Sequence, residues 1–167
     1  MKRSAVKRSE RATARIQLAI ESKHPRAVQA GRILRAAARE FAALLRLDRR
    51  ELSLSLVSDR AIRALNRDWR KKDRATDVLS FPQEDAGGVL IGDVVISLPT
   101  ALRQAEAGGW SLARELRRLL AHGLLHCLGH DHGTPAQALR MARAERRLLG
   151  RDGLVGAALS DSPPDEW

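Results

Sequence analysis

The feature that most constrains the fold of this chain is a run of histidines in its C-terminal third. Four of its five histidines fall between His122 and His132, in the stretch HGLLHCLGHDH. His122 and His126 are four residues apart, so a helix through this stretch places their rings one turn apart on the same face. Gly129 permits the chain to leave that helix in a left-handed turn. The sequence therefore predicts a helix that ends near Gly129 and carries a metal site.

A third metal ligand has to come from the residues after the turn. His130 and His132 are both candidates, and His132 fits better because H-x-x-x-H-x-x-G-x-x-H is the spacing with which metzincin proteases surround zinc. His130 is then expected to face outward, and Asp131 either orients a ligand imidazole or simply belongs to the turn. Three imidazoles with an open fourth position are typical of a catalytic zinc site. We therefore predict that His122, His126 and His132 bind one zinc ion.

Two residues inside this stretch, Gly123 and Cys127, limit which reactions the predicted metal site can catalyse. Zinc proteases place a glutamate directly after the first histidine as general base, whereas this chain has Gly123, which has no side chain to accept a proton. Peptide hydrolysis therefore loses support. Cys127 lies between the ligands in sequence but points away from them on a helix, so we expect it to be a small buried apolar residue.

The rest of the chain alternates between strand and helix patterns. Residues 89–98, VLIGDVVISL, are almost continuously apolar, which is typical of a strand buried on both faces and central in its sheet. We expect an α+β fold: a single mixed sheet of about four strands, about five surrounding helices and a central metal-binding helix, as in zincin-like proteins. The pattern does not decide whether the edge strand is parallel or antiparallel. Strands are predicted at 14–21, 51–57, 77–81 and 89–98. Helices are predicted at 25–47, at 59–69 with Asp59 as the N-cap, at 99–108, from Ser111 into the histidines, and from Pro135 to Gly150.

Length and composition indicate one unexported domain. We expect a single domain over 1–167 with a core at about 14–150, a flexible basic segment at 1–13 and a flexible tail at 151–167, where the apolar residues 154–159 leave room for a short docked element. No apolar run is long enough to cross a membrane, and the lone cysteine cannot form an internal disulfide. A cytoplasmic location is the simplest interpretation, although the arginine-rich start is also typical of an organelle transit peptide.

The charge of the chain favours a polyanionic partner. Thirty Lys and Arg residues against twenty Asp and Glu leave a formal charge of +10, which makes RNA plausible. The chain has no tyrosine and only two phenylalanines, so we do not expect an aromatic stacking platform like that of RNA-recognition sheets. Contact with RNA is expected to be mainly electrostatic.

Three stretches together carry a family resemblance. HGLLHCLGHDH resembles the H-G-x-L-H-x-x-G-x-D-H signature of the YbeY family, which comprises bacterial and organellar metal-dependent endoribonucleases of ribosomal RNA maturation. LNRDWRKKDRATDVLSFP, residues 65–82, resembles the family's stretch that ends in T-D-V-L-S-F-P, and GDVVIS, residues 92–97, resembles its central strand. Two departures fall inside the second stretch, where Lys71 stands at a position at which glycine is common in the family and Ala75 at one at which proline is common.

The resemblance implies a zinc-dependent endoribonuclease that is specific for single-stranded RNA. Its expected roles are maturation of the 3′ end of small-subunit ribosomal RNA and ribosome quality control, with ribosomal particles or ribosomal proteins as partners. The family motif matches His122, His126 and His132 to the metal ligands and Arg70 to an arginine important for activity. A guanidinium can hold a phosphate through two hydrogen bonds and stabilise developing charge. Arg70 and His122 are thus the predicted catalytic residues, and Arg70 and Lys72 the predicted substrate-binding residues.

Two other functions stay open at this point. One is a ribosome-associated assembly factor with a mainly structural metal, which a fourth protein ligand such as His130 would favour. The other is a zinc hydrolase of a non-RNA substrate, against which Gly123 argues. Within the nuclease interpretation, either a metal-linked hydroxide or the 2′-hydroxyl of the RNA is the nucleophile. The hydroxide is favoured by elimination, because no obvious carboxylate base lies inside the signature.

Overall fold

The structure is a computed structural model that describes residues 13–83 and 86–150. The expected flexible ends and the docked element at 154–159 lie almost wholly outside these ranges. No helix among the described residues is long and apolar enough to span a membrane. The elements are β1 (Arg15–Ile20), α1 (Ala27–Leu44), β2 (Glu51–Val57), α2 (Asp59–Arg70), β3 (Val78–Pro82), β4 (Leu90–Ser97), α3 (Leu98–Gly108), α4 (Leu112–Cys127) and α5 (Pro135–Leu149).

Four strands form one mixed sheet in the order β1-β2-β4-β3. β2 pairs in parallel with both β1 and β4, and each parallel pair is separated in the chain by at least one helix, as such a connection requires. β3 runs antiparallel to β4 and forms an edge. The predicted α+β class is confirmed, and so is the interior position of the strand predicted at 89–98, which the structure forms from Leu90 to Ser97. The structure settles the direction of both edge strands.

The two faces of the sheet are covered by different helices. Val78 and Val94 point to the face that packs against α4, where the large core lies, whereas Leu79 and Val95 point to the opposite face and pack with Ile62 of α2. This alternation follows from the two-residue period of a strand. α1 and α5 pack beside α4, so that the predicted metal-binding helix is central in its layer.

The start and end of α2 differ from the prediction. Ser58, rather than Asp59, is the N-cap: its backbone is extended and its hydroxyl accepts a hydrogen bond from the Ala61 N–H. Asp59 already has a helical position, and its carboxylate instead accepts hydrogen bonds from Ser97 and Thr100. The helix also continues through Arg70, one residue beyond its predicted end at residue 69.

Candidate metal centre

The histidines lie at the C-terminal end of α4. Ser111 begins this helix as predicted, with its hydroxyl accepting a hydrogen bond from the Arg114 N–H. After Cys127 the chain turns through Gly129, whose φ of 87° is the left-handed conformation that glycine adopts without strain. The His130 N–H then donates to the Leu125 carbonyl, which tightens the turn. The reversal brings the residues after the helix back toward its last turn.

Three of the four histidines in the run converge. The ring centroids of His122 and His126 are 4.6 Å apart, those of His126 and His132 are 5.2 Å apart, and those of His122 and His132 are 5.9 Å apart. One ligand nitrogen from each ring lies within 4.8 Å of the other two. The structure thus places these three histidines close enough to bind a metal ion.

The spacing of the nitrogens suits a small divalent cation. Zinc–nitrogen bonds of about 2.0–2.1 Å in tetrahedral geometry put two ligand nitrogens about 3.3 Å apart. Nε2 of His122 and Nε2 of His126 are 3.2 Å apart. His130 is not part of the converging group, and in the described ranges no other His, Cys, Asp or Glu joins it. This donor set resembles that of a catalytic site more than that of a closed structural one.

Glu145 orients the first histidine. Its Oε1 lies 2.8 Å from Nδ1 of His122, so a proton on Nδ1 is donated to the carboxylate and Nε2 is left to face His126. Sequence reasoning missed this residue because it follows His122 by 23 positions, on α5. The signal that was available is that Glu145 is the single acid in a helix whose other charged residues are all arginine.

The second histidine is held in its neutral form. Burial lowers the pKa of His126 to about 4, with a further lowering by the nearby His122 and His132 rings. A neutral imidazole has a free lone pair, so His126 needs to release no proton to bind a metal at neutral pH.

A buried ion pair anchors the turn of α4 that precedes His122. Glu115 is fully buried and accepts hydrogen bonds from Arg118, at 2.6 Å, and from the Trp110 indole N–H, at 2.7 Å. Arg118 also lies 3.8 Å from Asp77, just before β3. Burial opposes the charge of Arg118, but Glu115 and Asp77 outweigh it and the pKa of the guanidinium is raised. The network ties α4 to the sheet one turn from the first ligand.

Gly123 faces the sheet and leaves no room for a general base. A Cβ at this position would lie 2.8 Å from Val94 Cγ1 and 3.3 Å from Val78 Cγ2. A glutamate therefore could not be accommodated there without moving α4 away from β3 and β4. The glycine at this position thus fits the close packing of α4 on the sheet.

Cys127 also faces the sheet. Its Sγ is 3.8 Å from the Asp93 carbonyl oxygen, and burial, followed by the charge of Asp93, raises the pKa of its thiol to about 12. The thiol therefore stays protonated and unreactive at neutral pH. The side chain packs against the core as predicted, although it is half-buried rather than buried.

Of the two predicted RNA-binding residues, Arg70 lies against the edge strand. Arg70 Nη2 donates to the Ser80 carbonyl at 3.0 Å, and its guanidinium carbon is 6.0 Å from the centre of the Phe81 ring. Lys71 ends α2 with a φ of 60°, which explains why glycine suits that position. The Lys72 N–H bonds back to the Asn66 carbonyl. Arg70 is thereby held on β3, the strand whose Val78 lies against Gly123 of α4.

Comparison with known proteins identifies the relatives of this fold. A family model described as "Endoribonuclease YbeY" matches residues 15–152. A protein named endoribonuclease YbeY from Anaeromyxobacter dehalogenans is 54% identical over 144 residues, covering 85% of this chain and 75% of that protein. A protein of the same name from Anaeromyxobacter sp. strain Fw109-5 is 54% identical over 147 residues, covering 87% of this chain and 77% of that protein. A Thermotoga maritima protein solved in solution shares the fold with a TM-score of 0.55 at 20% identity, covering 91% of this chain and 99% of that protein.

Proposed function

This chain belongs to the YbeY family, and from that membership we propose that it is a zinc-dependent endoribonuclease that cleaves single-stranded RNA. The observation that carries the proposal is the convergence of three imidazoles at the end of α4. The matched family region, residues 15–152, contains all three. The formal charge of +10 is consistent with a polyanionic substrate.

The proposed roles of the site residues rest on the family resemblance and on the chemistry of each side chain. His122, His126 and His132 are the proposed ligands of one zinc ion, which when bound supplies a Lewis acid beside the scissile phosphate. Glu145 keeps Nε2 of His122 directed toward the ion. Arg70, with a permanent charge and a planar fork of donors, is proposed to hold a phosphate oxygen and to stabilise the charge that develops on it.

The proposed biological substrate is the precursor of small-subunit ribosomal RNA. We place the activity in maturation of its 3′ end and in ribosome quality control, in the cytoplasm, with ribosomal particles or ribosomal proteins as partners. The motif resemblance and the basic charge support this assignment. Lys72 is proposed to contact the RNA backbone.

The competing functions receive less support from the geometry. A peptidase needs a base that the packing around Gly123 excludes. A structural metal would be expected to have a fourth protein ligand, and His130 does not converge with the other three histidines.

The proposal is tested with a labelled single-stranded fragment of the small-subunit ribosomal RNA 3′ region. Wild type is expected to cut it, whereas His126→Ala, Arg70→Ala and chelator-treated protein are expected not to, and added zinc should restore only the chelated sample. His130→Ala is the matched control and should retain cleavage. Equal cutting by wild type and His126→Ala would show that the activity does not come from this site.

The chemistry of the product ends identifies the nucleophile. Attack by the 2′-hydroxyl of the RNA leaves a 2′,3′-cyclic phosphate or the 3′-phosphate derived from it. A 5′-phosphate with a free 3′-hydroxyl indicates direct attack by water, which is the version we propose.

A further inference from the structure

An exposed aromatic side chain lies at the end of α2. Trp69 exposes 69% of its surface, more than any other large apolar residue in the described ranges. Its ring does not stand alone, because it meets the Phe81 ring edge to face with centroids 6.0 Å apart. The Arg70 guanidinium lies 6.0 Å from the centre of the same Phe81 ring. Trp69, Arg70 and Phe81 together form a patch that we call the aromatic–guanidinium patch.

The patch is attached to rigid elements. Trp69 and Arg70 occupy the last turn of α2, and Phe81 belongs to β3. The bond from Arg70 to the Ser80 carbonyl joins the helix end to the strand. A large ring held in this way loses little conformational entropy on binding a flat ligand.

The surroundings of the patch favour a polyanion. Residues 67–74, RDWRKKDR, contain five basic and two acidic residues. Both acids have cationic partners, because Asp68 pairs with Arg67 and Asp73 pairs with Arg63 through two hydrogen bonds. A ligand that offers both flat apolar rings and negative charge matches this combination, and single-stranded RNA has both.

The patch is connected to the metal centre through the edge strand. A Cβ built on Gly92 of β4 would lie 2.5 Å from the Phe81 carbonyl oxygen and 2.8 Å from Cys127 Sγ. The backbone of Phe81 therefore lies close to Cys127, which is adjacent in sequence to His126. The Phe81 ring itself packs on the face of the sheet that α2 covers, opposite to α4, so an RNA strand that contacts both the histidines and Trp69 has to pass around the edge formed by β3.

We propose that Trp69, supported by Phe81 and flanked by Arg70, stacks on an unpaired base of the RNA substrate. The inference rests on the proposed function. It gives a physical reason for a preference for single-stranded over double-stranded RNA, because the faces of a base inside a duplex are covered by the neighbouring bases. It also adds a stacking contact to an interaction with RNA that the composition predicts to be mainly electrostatic.

The experiment compares two labelled oligonucleotides of equal length, one of single-stranded RNA and one with abasic sugars throughout. Binding is measured by fluorescence anisotropy in the first seconds after mixing, before cleavage proceeds. Base–aromatic stacking of about 1–3 kcal/mol corresponds to a loss of roughly 5- to 150-fold in affinity. Trp69→Ala is expected to lose that much affinity for the RNA and none for the abasic strand, whereas Trp69→Phe retains most of it.

Val28→Ala is the matched control, since Val28 is 59% exposed on α1. It should change neither affinity. If Trp69→Ala binds both strands as wild type does while wild type cuts RNA, the stacking inference is wrong and the proposed function stands. An equal loss on both strands would also overturn stacking, because it indicates a contact to the backbone. If wild type neither binds nor cuts RNA, both proposals fail.

Discussion

Removing the carboxylate of Glu145 is expected to weaken metal binding without unfolding the protein. Its Oε1 is 2.8 Å from Nδ1 of His122, and both side chains are about four-fifths buried, with exposed fractions of 22% and 19%. Loss of such an outer partner of a metal-binding histidine typically costs about 10- to 100-fold in metal affinity. That corresponds to about 1.4–2.7 kcal/mol.

Two substitutions separate the charge of Glu145 from its hydrogen bond. Glu145→Ala removes both and should lower zinc affinity by the full factor. In Glu145→Gln the amide oxygen still accepts a hydrogen bond from Nδ1, so we expect a loss of less than about tenfold. Zinc affinity is measured by competition with a chromophoric chelator at constant pH.

The matched control for this prediction is Glu40→Gln. Glu40 lies on α1 and accepts two hydrogen bonds from Arg117. Its substitution by glutamine removes the same negative charge from the protein as substitution of Glu145. Its substitution should leave zinc affinity unchanged. If Glu145→Ala is folded and binds zinc as tightly as wild type, the carboxylate does not position His122 and the reasoning is refuted.

Three further predictions concern stability. Gly123→Ala should destabilise the fold by about 1–3 kcal/mol through overpacking against the sheet. Gly133→Ala is the control and should cost far less, because its Cβ would meet nothing closer than 3.6 Å. Equal urea midpoints for the two variants would contradict the close approach of α4 to the sheet. Lys71→Gly should raise the free energy of unfolding by about 0.5–1 kcal/mol because it relieves a positive φ, and a lower thermal midpoint would argue against strain there. Burial raises the pKa of Asp59, but its hydrogen bonds to Ser97, Thr100 and Arg103 outweigh burial, so the pKa in the folded protein is lowered overall. The stability that the Asp59 charge contributes is therefore present above the pKa of the unfolded state and is lost as the pH falls through the lower pKa of the folded state. The stability difference between wild type and Asp59→Asn should therefore shrink below about pH 4, and a difference that grew on acidification would contradict the sign.

The outline of the metal site could be predicted from sequence because it is local. His122, His126, Gly129 and His132 lie within eleven residues, so the period of a helix and one left-handed turn suffice to bring three rings together. The helix and strand patterns are local as well, and for this reason the order of elements and the α+β class were predicted correctly, with errors confined to the ends of elements such as α2.

Contacts between distant segments were decided only by the tertiary structure. The direction of the edge strands depends on how whole elements cross the sheet, and the hydrogen bond from His122 to Glu145 depends on how α5 packs on α4. The same holds for the closeness of Gly123 to Val94 and for the exposure of Trp69 beside Phe81. Periodicity reports which side of an element is apolar, but it carries no information about which element covers that side. The sequence alone therefore determined which atoms can hold a metal, and the packing of remote segments decided how those atoms are oriented and what lies beside them.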